Sequence, residues 1–189
     1  MALVTVKPTR IDIAIADEIA AHANPGMEET AEALTWGADE HVLLALAAAG
    51  WLYAWTRRPA ARPVANHVLA VSLVTAVLPH ILKSFFDQTR PDRLTVRGHR
   101  QGIPISGRSH DAFPSGHAVH MGALASAAGL LPRGPRRAFR AVAIGLSLTR
   151  IVLLAHWASD VVAGFALGAA VERLLRPRAL VKRNARVRP

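Results

Sequence analysis

The stretch Val64–Leu82, VANHVLAVSLVTAVLPHIL, followed by Lys83-Ser84-Phe85-Phe86-Asp87-Gln88-Thr89-Arg90-Pro91, decides the fold class. The apolar run contains no Asp, Glu, Lys or Arg and approaches the ~20 residues that cross a hydrocarbon layer, so it predicts a spanning helix that ends in cations. Outward from it, shorter apolar runs at His41–Trp55, Ala118–Leu131, Phe139–Ala155 and Val161–Leu175 are separated by basic, proline-containing joints. What unites them is the placement of charge. Arg57, Arg58 and Arg62 follow the first run, Arg133, Arg136, Arg137 and Arg140 follow the third, and a basic stretch follows the fifth. These three joints are expected on one side, the cytoplasmic one.

Composition agrees. Of 189 residues, 51% are hydrophobic and the mean hydropathy is +0.24, above the needs of most soluble domains of this size. Aromatics are 5%, which favours close helix packing over a β-sandwich. The expected class is all-α, a membrane-embedded bundle of about five spanning helices. Residues Ile11–Glu40 hold eight of the thirteen acids and are split by Asn24-Pro25-Gly26, which predicts two short amphipathic helices lying at an interface. The domain reading is therefore an interfacial segment over 1–40, the bundle over 41–175 and a basic, disordered cytoplasmic tail over 176–189. MALVTVKPTR lacks the apolar core and cleavage site of a secretory signal. Gly164 and Gly168, with Gly122, Ala125 and Ser126, suit close helix approach.

A net charge of +10 would suggest nucleic acid in a soluble protein. Here the charges fall between apolar runs, so membrane topology plus an anion site is expected, with no nucleic-acid partner. The absence of Cys excludes disulfides, thiolate metal sites and a thiol nucleophile.

The same topology places Lys83–Gly116 and His156–Asp160 together on the opposite face. That face carries Lys83, Arg90, Arg93, Arg97, Arg100 and Arg108 against the positive-inside trend, and anion binding supplies a reason. Three groups stand out: Lys83-x6-Arg90-Pro91, Pro114-Ser115-Gly116-His117 and Arg150-x5-His156-x3-Asp160. If the helix of the Val64–Leu82 run continues through Ser84–Thr89, Lys83 and Arg90 stand two turns apart on one stripe, with Pro91 ending it. Ser115 reads as an N-cap, Gly116 as a place for close backbone approach, and the helix N-terminus as favourable to an anion. Four residues apart, Asp160 can hold one nitrogen of His156 and leave the other free, which describes an oriented nucleophile or base.

Alone, each group has an ordinary explanation: an interfacial anchor pair, a helix start, a structural His/Asp pair. Together they do not. Ten specified residues at roughly 5% usage, placed in about 10^6 ways, give a chance match on the order of 10^-7. An ionisable cluster at a membrane edge is also a functional hypothesis by default.

On these motifs, across about Val64–Leu175, the sequence resembles the type 2 phosphatidic acid phosphatase superfamily, which includes lipid phosphatases, glucose-6-phosphatase and vanadium haloperoxidases. The resemblance implies that His156 is the nucleophile, Asp160 its orienting partner and His117 the general acid. It also implies that Lys83, Arg90, Ser115, Gly116 and Arg150 hold the phosphoryl oxygens. Many membrane members carry a further spanning helix before the amphipathic segment, which Met1–Arg10 does not supply. Phosphoryl transfer chiefly needs positioning and charge neutralisation, so cations and a helix N-terminus can stand where Mg2+ stands elsewhere, and no metal or other cofactor is expected. Asp87, Asp92 and Asp111 are interspersed with Arg and make a poor hard-cation cluster.

The expected function is hydrolysis of a lipid phosphate or diphosphate through a phosphohistidine, in the plasma (inner) membrane with the site on the periplasmic or extracellular face. The partners are the phosphorylated lipid and the bilayer. A vanadate-binding haloperoxidase-like protein and a non-catalytic binder of anionic lipid are the alternatives. His67 and His80 are read as interfacial, His22 and His41 as helix-edge residues and His120 as packing. The outer loop Asp92–Phe113 is expected to select the lipid.

Overall fold

Prolines and oxygen-bearing side chains punctuate this chain, and most of its helices begin where they stand. The computed structural model describes residues 3–91 and 110–180. After a short strand, β1 (Val4–Thr5), helix α1 spans Arg10–His22 and is opened by a capping box between Thr9 and Asp12. Asn24 caps α2 (Pro25–Thr35), and Asp39 caps α3 (Glu40–Arg57) by accepting from the His41 and Val42 amides. Helix α4 (Arg62–Lys83) carries Pro63 in its first turn and Pro79 near its end. Strand β2 (Phe86–Asp87) follows and pairs in parallel with β1, Val4 beside Phe86 and Thr5 beside Asp87. Then come α5 (Gly116–Ala127), α6 (Arg133–Val152) and α7 (Ala158–Leu175).

Helices α3 to α7 match the five apolar runs, and the two amphipathic helices part at Ala23 and Asn24, with Pro25 and Gly26 opening α2. The described chain is all-α apart from the two-residue strand pair. Among the described residues one helical stretch, Pro59–Lys83, is by itself long and apolar enough to cross a membrane.

Helix α5 is the axis of the bundle. Nine of its residues from Ala118 to Ala127 are buried, and α4, α6 and α7 surround it. Its tightest neighbour is α7, and glycine makes the contact. A Cβ at Gly122 would overlap the Phe165 carbonyl, and one at Gly168 would overlap the Val119 carbonyl. At Gly164 it would stand 2.7 Å from the Ser115 carbonyl oxygen. The two backbones therefore touch with no side chain between them, as the small-residue spacing predicts. Leu46, Leu52, Leu73, Val77, Ile81, Val142, Ile144, Leu148 and Val162 point outward from α3, α4, α6 and α7.

At the end of the bundle where α4 begins and α7 ends, a second polar knot differs from the expectation for His67. That residue is buried rather than interfacial, with Nε2 2.7 Å from Glu172 Oε1. Glu172 also accepts from the Ser126 hydroxyl at 2.6 Å and from Arg176 Nε and Nη2 at 2.8 and 2.6 Å. A buried carboxylate needs such partners, and His67 is drawn inward to supply one. Arg176, the first residue of the basic tail, is docked on Glu172 and the Ser126 carbonyl, and Leu180 is buried, while Pro177, Arg178 and Ala179 between them are exposed. Residues 181–189 lie outside the described residues. His22, His41 and His80 are exposed, as expected, and His120 is wholly buried.

The glycine contact is directly testable. Gly168→Ala or Gly122→Ala should destabilise the bundle by about 2–3 kcal/mol or prevent its assembly, because backbone must shift to admit the methyl group. Gly50→Ala, where nothing stands within 4 Å, should be neutral or stabilising by roughly 0.5–1 kcal/mol. Thermal unfolding of the three variants in detergent measures the contrast.

Candidate active site

Four helix ends meet at one end of the bundle, and the residues singled out by the motifs are on them or in the joints beside them. Lys83 closes α4, Ser115 precedes α5, Gly116 and His117 begin it, Arg150 is in the last turn of α6 and Asp160 in the first turn of α7. Arg90 follows β2, and His156 lies in the joint between α6 and α7.

That joint is a tight reversal. The Leu154 amide donates to the Ile151 carbonyl at 2.9 Å, while the Ala155 and His156 amides both reach the Arg150 carbonyl at 3.1 and 3.2 Å. Such a helix end wants glycine at its left-handed position. Here Leu154 occupies it with φ 51°, a conformation costing about 1–2 kcal/mol for a residue with a side chain. Burial of Leu154 against Trp157, Ala112 and Ala16 offsets that cost. The turn folds His156 back onto Arg150.

His156 Nδ1 stands 2.6 Å from the carbonyl oxygen of Ala112. A carbonyl can only accept, so Nδ1 carries the proton, and in the neutral ring Nε2 keeps its lone pair. Burial first, and then the positive charges of Arg90, Arg150 and Lys83 together with His117, hold the pKa of His156 well below the usual histidine range. The ring is therefore neutral at physiological pH. The expected Asp160 contact is corrected here. Asp160 Oδ2 lies 3.9 Å from Nδ1, beyond hydrogen bonding, and instead accepts the Trp157 amide at 3.0 Å. A four-residue spacing joins side chains when both ride one helix; α7 begins at Ala158, so His156 lies outside it.

The cations also converge by a different route than the spacing suggests. Helix α4 stops at Lys83, and the chain turns through β2, so Lys83 and Arg90 do not share a helical stripe. Asp111 gathers them instead: Lys83 Nζ is 3.6 Å from Oδ2, and Arg90 donates through Nη2 and Nε to Oδ1 at 2.8 and 3.1 Å. Arg90 Nη1 donates to the Ala155 carbonyl at 3.1 Å, beside His156. Arg150 is buried and donates through Nη1 to Thr35 Oγ1 of α2 at 3.3 Å. Among the described residues, three cations against the carboxylates of Asp111 and Asp160 leave a positive surplus around a neutral imidazole.

Ser115 holds the N-cap position of α5, but its hydroxyl makes no cap bond. Its amide donates to the Asp160 carbonyl at 3.4 Å, tying the start of α5 to that of α7. Ser115 Oγ, His117 Nε2, Arg150 Nε and Asp160 Oδ1 are buried without a partner among the described residues. A Cβ at Gly116 would meet Pro79 at an ordinary 3.6 Å, so packing does not demand glycine there.

The structure thus gathers Lys83, Arg90, Ser115, Gly116, His117, Arg150, His156 and Asp160 at one end. Sequence reasoning missed Asp111 as the tie between two cations, the Ala112 carbonyl as the partner of His156, and Thr35. An acid close to a cluster of required cations was the available signal for Asp111; a backbone carbonyl leaves none. Arg93, Arg97, Arg100 and Arg108, and most of the loop expected to select the lipid, lie outside the described residues.

Known proteins resemble this chain in sequence and in fold. A sequence model described as the PAP2 superfamily matches residues 64–181. A lipid A 1-phosphatase of Rhizobium johnstonii is 42% identical over 96 residues, which is 50% of this chain and 39% of that protein. One from Rhizobium etli is 36% identical over 106 residues, 56% of this chain and 46% of that protein. The chain thus spans less than half the length of these curated relatives. The crystal structure of Aquifex aeolicus LpxE superposes with a TM-score of 0.70 at 19% identity, covering 91% of this chain and 98% of that one. A transmembrane PAP2 type phosphatidylglycerolphosphate phosphatase from Bacillus subtilis gives 0.61 at 21% identity, covering 94% and 88%. These two likenesses establish the fold.

The electrostatics of His156 can be measured directly. Arg90→Gln removes a positive charge that disfavours the imidazolium, so the pKa of His156 should rise toward the ordinary ~6.5. Titration of histidine ring resonances by NMR in wild type and variant reads the shift, and a wild-type ring titrating at or above ~6.5 would contradict the assignment.

Proposed function

This chain belongs to the PAP2 superfamily, and from that premise we propose that it is a metal-independent phosphatase acting on a lipid phosphate or diphosphate through a phosphohistidine on His156. The observation that carries the reading is the neutral, buried imidazole whose Nδ1 is fixed by the Ala112 carbonyl, leaving Nε2 as a lone pair amid Lys83, Arg90 and Arg150. An oriented nucleophile beside preorganised cations is what phosphoryl transfer asks of a protein.

In the first step Nε2 of His156 attacks phosphorus, the phosphorus–oxygen bond to the lipid breaks, and His117 gives its proton to the leaving oxygen. In the second, water gives a proton to His117 and attacks phosphorus, the N–P bond breaks, and inorganic phosphate leaves. Lys83, Arg90, Arg150, Ser115 Oγ and the amides around Gly116 hold the phosphoryl oxygens. Asp160 braces the joint through the Trp157 amide and adds a carboxylate near the imidazolium side of the cycle.

The outward apolar side chains of α3, α4, α6 and α7 support a multi-pass protein whose substrate keeps its tails in the bilayer. The basic joints support placing the site at the outer face of the inner membrane. The curated relatives are lipid A 1-phosphatases, which makes a lipid A 1-phosphate the leading substrate. Phosphatidylglycerol phosphate, named for the Bacillus subtilis structure, comes second.

Purified protein in detergent with EDTA, assayed on lipid A, phosphatidylglycerol phosphate, phosphatidic acid and a polyprenyl diphosphate, tests the reading. Phosphate should be released without added metal. His156→Ala should lose at least about 10^3-fold in kcat and Arg90→Ala about 10^2–10^3-fold. Metal-dependent release, or activity that survives His156→Ala, would show the mechanism to be wrong.

The pH profile gives a separate check. His156 must be neutral to attack and His117 protonated to donate, and on the acid side kcat/KM should rise with pH through the pKa of His156. Because burial and neighbouring cations lower that pKa, the acid limb should lie below ~6.5. An acid limb above that value, with chemistry rate-limiting, would refute the neutral-nucleophile assignment.

A further inference from the structure

Between His156 and Asp160 stands Ser159, and both of its donors leave the bundle for α1. The Ser159 amide donates to Asp12 Oδ1 at 2.8 Å and its hydroxyl to Asp12 Oδ2 at 2.8 Å. Asp12 Oδ2 also accepts from the Thr9 amide and hydroxyl at 2.9 and 2.8 Å. Four donors thus converge on one buried carboxylate. Burial favours its protonated form, but the bonds from Ser159 and Thr9 outweigh that and keep its pKa below the usual aspartate value, so it is ionised at neutral pH.

The need for this contact is visible in α7. The residue at its N-cap is Trp157, which has no side-chain acceptor, and the first-turn amides must find partners elsewhere. Asp160 takes the Trp157 amide, and Asp12 takes that of Ser159. His156 is the residue immediately before this turn. A few residues earlier in the chain, β1 pairs with Phe86–Asp87, midway between Lys83 and Arg90, through the Leu3, Val4 and Val6 amides. The segment 3–12 therefore grips both sides of the site, the loop that carries a phosphate-binding arginine and the joint that carries the nucleophile.

We propose that Asp12 is a positioning residue for phosphoryl transfer: by capping α7 at Ser159 it holds the His156 joint in register with the cations, making the N-terminal helix a working part of the site. The inference rests on the phosphatase reading above. Asp12 does not touch the reacting atoms, so its loss should appear in the chemical step and leave lipid capture largely intact.

Full-length Asp12→Ala, Asp12→Asn and Ser159→Ala, with Asp17→Ala on the exposed face of α1 as control, test this in detergent. Asp12→Ala should lower kcat for phosphate release about 10- to 100-fold with KM for the lipid changed less than about threefold. Asp12→Asn, which keeps an acceptor for the Ser159 amide, should recover part of the loss, and Asp17→Ala should match wild type. Amide hydrogen exchange over 157–161 should quicken in Asp12→Ala. A folded Asp12→Ala with wild-type kcat, a loss confined to KM, or unchanged exchange would each overturn the proposal. Should Asp12→Ala fail to fold, Ser159→Ala decides, because it deletes one bond and keeps the other: kcat should fall about 3- to 10-fold at constant KM, and an unchanged kcat would overturn the idea. If wild type releases phosphate from none of the lipids, the phosphatase reading falls, and exchange alone decides the clamp, faster in Asp12→Ala upholding it and unchanged refuting it.

Discussion

The bare backbone contact between α5 and α7 is the constraint from which the rest of this structure follows. Gly122, Gly164 and Gly168 remove every side chain that would hold the two helices apart. At that separation the Ser115 amide reaches the Asp160 carbonyl, so the N-termini of both helices open side by side. His117 enters from one and the His156 joint from the other. Two positive helix ends brought together make a place for an anion before any side chain is counted.

Charge in an apolar bundle has to be held, and here it is held at both ends. Arg90 is bound to Asp111 and the Ala155 carbonyl, and Arg150 to Thr35. At the opposite end Glu172 is enclosed by His67, Ser126 and Arg176. The two knots differ in what they leave over. Around Glu172 both carboxylate oxygens are engaged, and the group serves packing. Among the described residues around His156 the cations outnumber the carboxylates, and Ser115 Oγ, His117 Nε2 and Arg150 Nε have no partner. Surplus donors fixed in place ahead of reaction are the electrostatic basis of phosphoryl transfer.

The sequence reading and the structure differ in which partners the side chains find. Lys83 and Arg90 meet through Asp111 because α4 stops at Lys83, and His156 turns to Ala112 because α7 starts two residues after it. Ser115 looks like a cap by type and position, yet its hydroxyl does not cap. His67 looks like an interfacial residue near the start of an apolar run, yet Glu172, more than a hundred residues away, draws it inside. Except at Ser115, each departure involves a partner remote in the chain.

The helices, their order and the end of the bundle where the chemistry gathers were determined by the sequence alone. Hydrophobic run length, proline placement and the spacing of glycines act over a few residues and carry their meaning locally. The eight candidate site residues were legible for a related reason: each motif is short, and the three together, though none alone, point to anion binding and nucleophilic chemistry. Which atom of His156 is bare, which acid gathers the cations and where the first helix attaches were decided by tertiary structure. Those answers depend on the Ala112 carbonyl, Asp111 and Asp12, because a hydrogen bond is specified by position in space and the chain reaches those positions only once α5 and α7 have closed on each other.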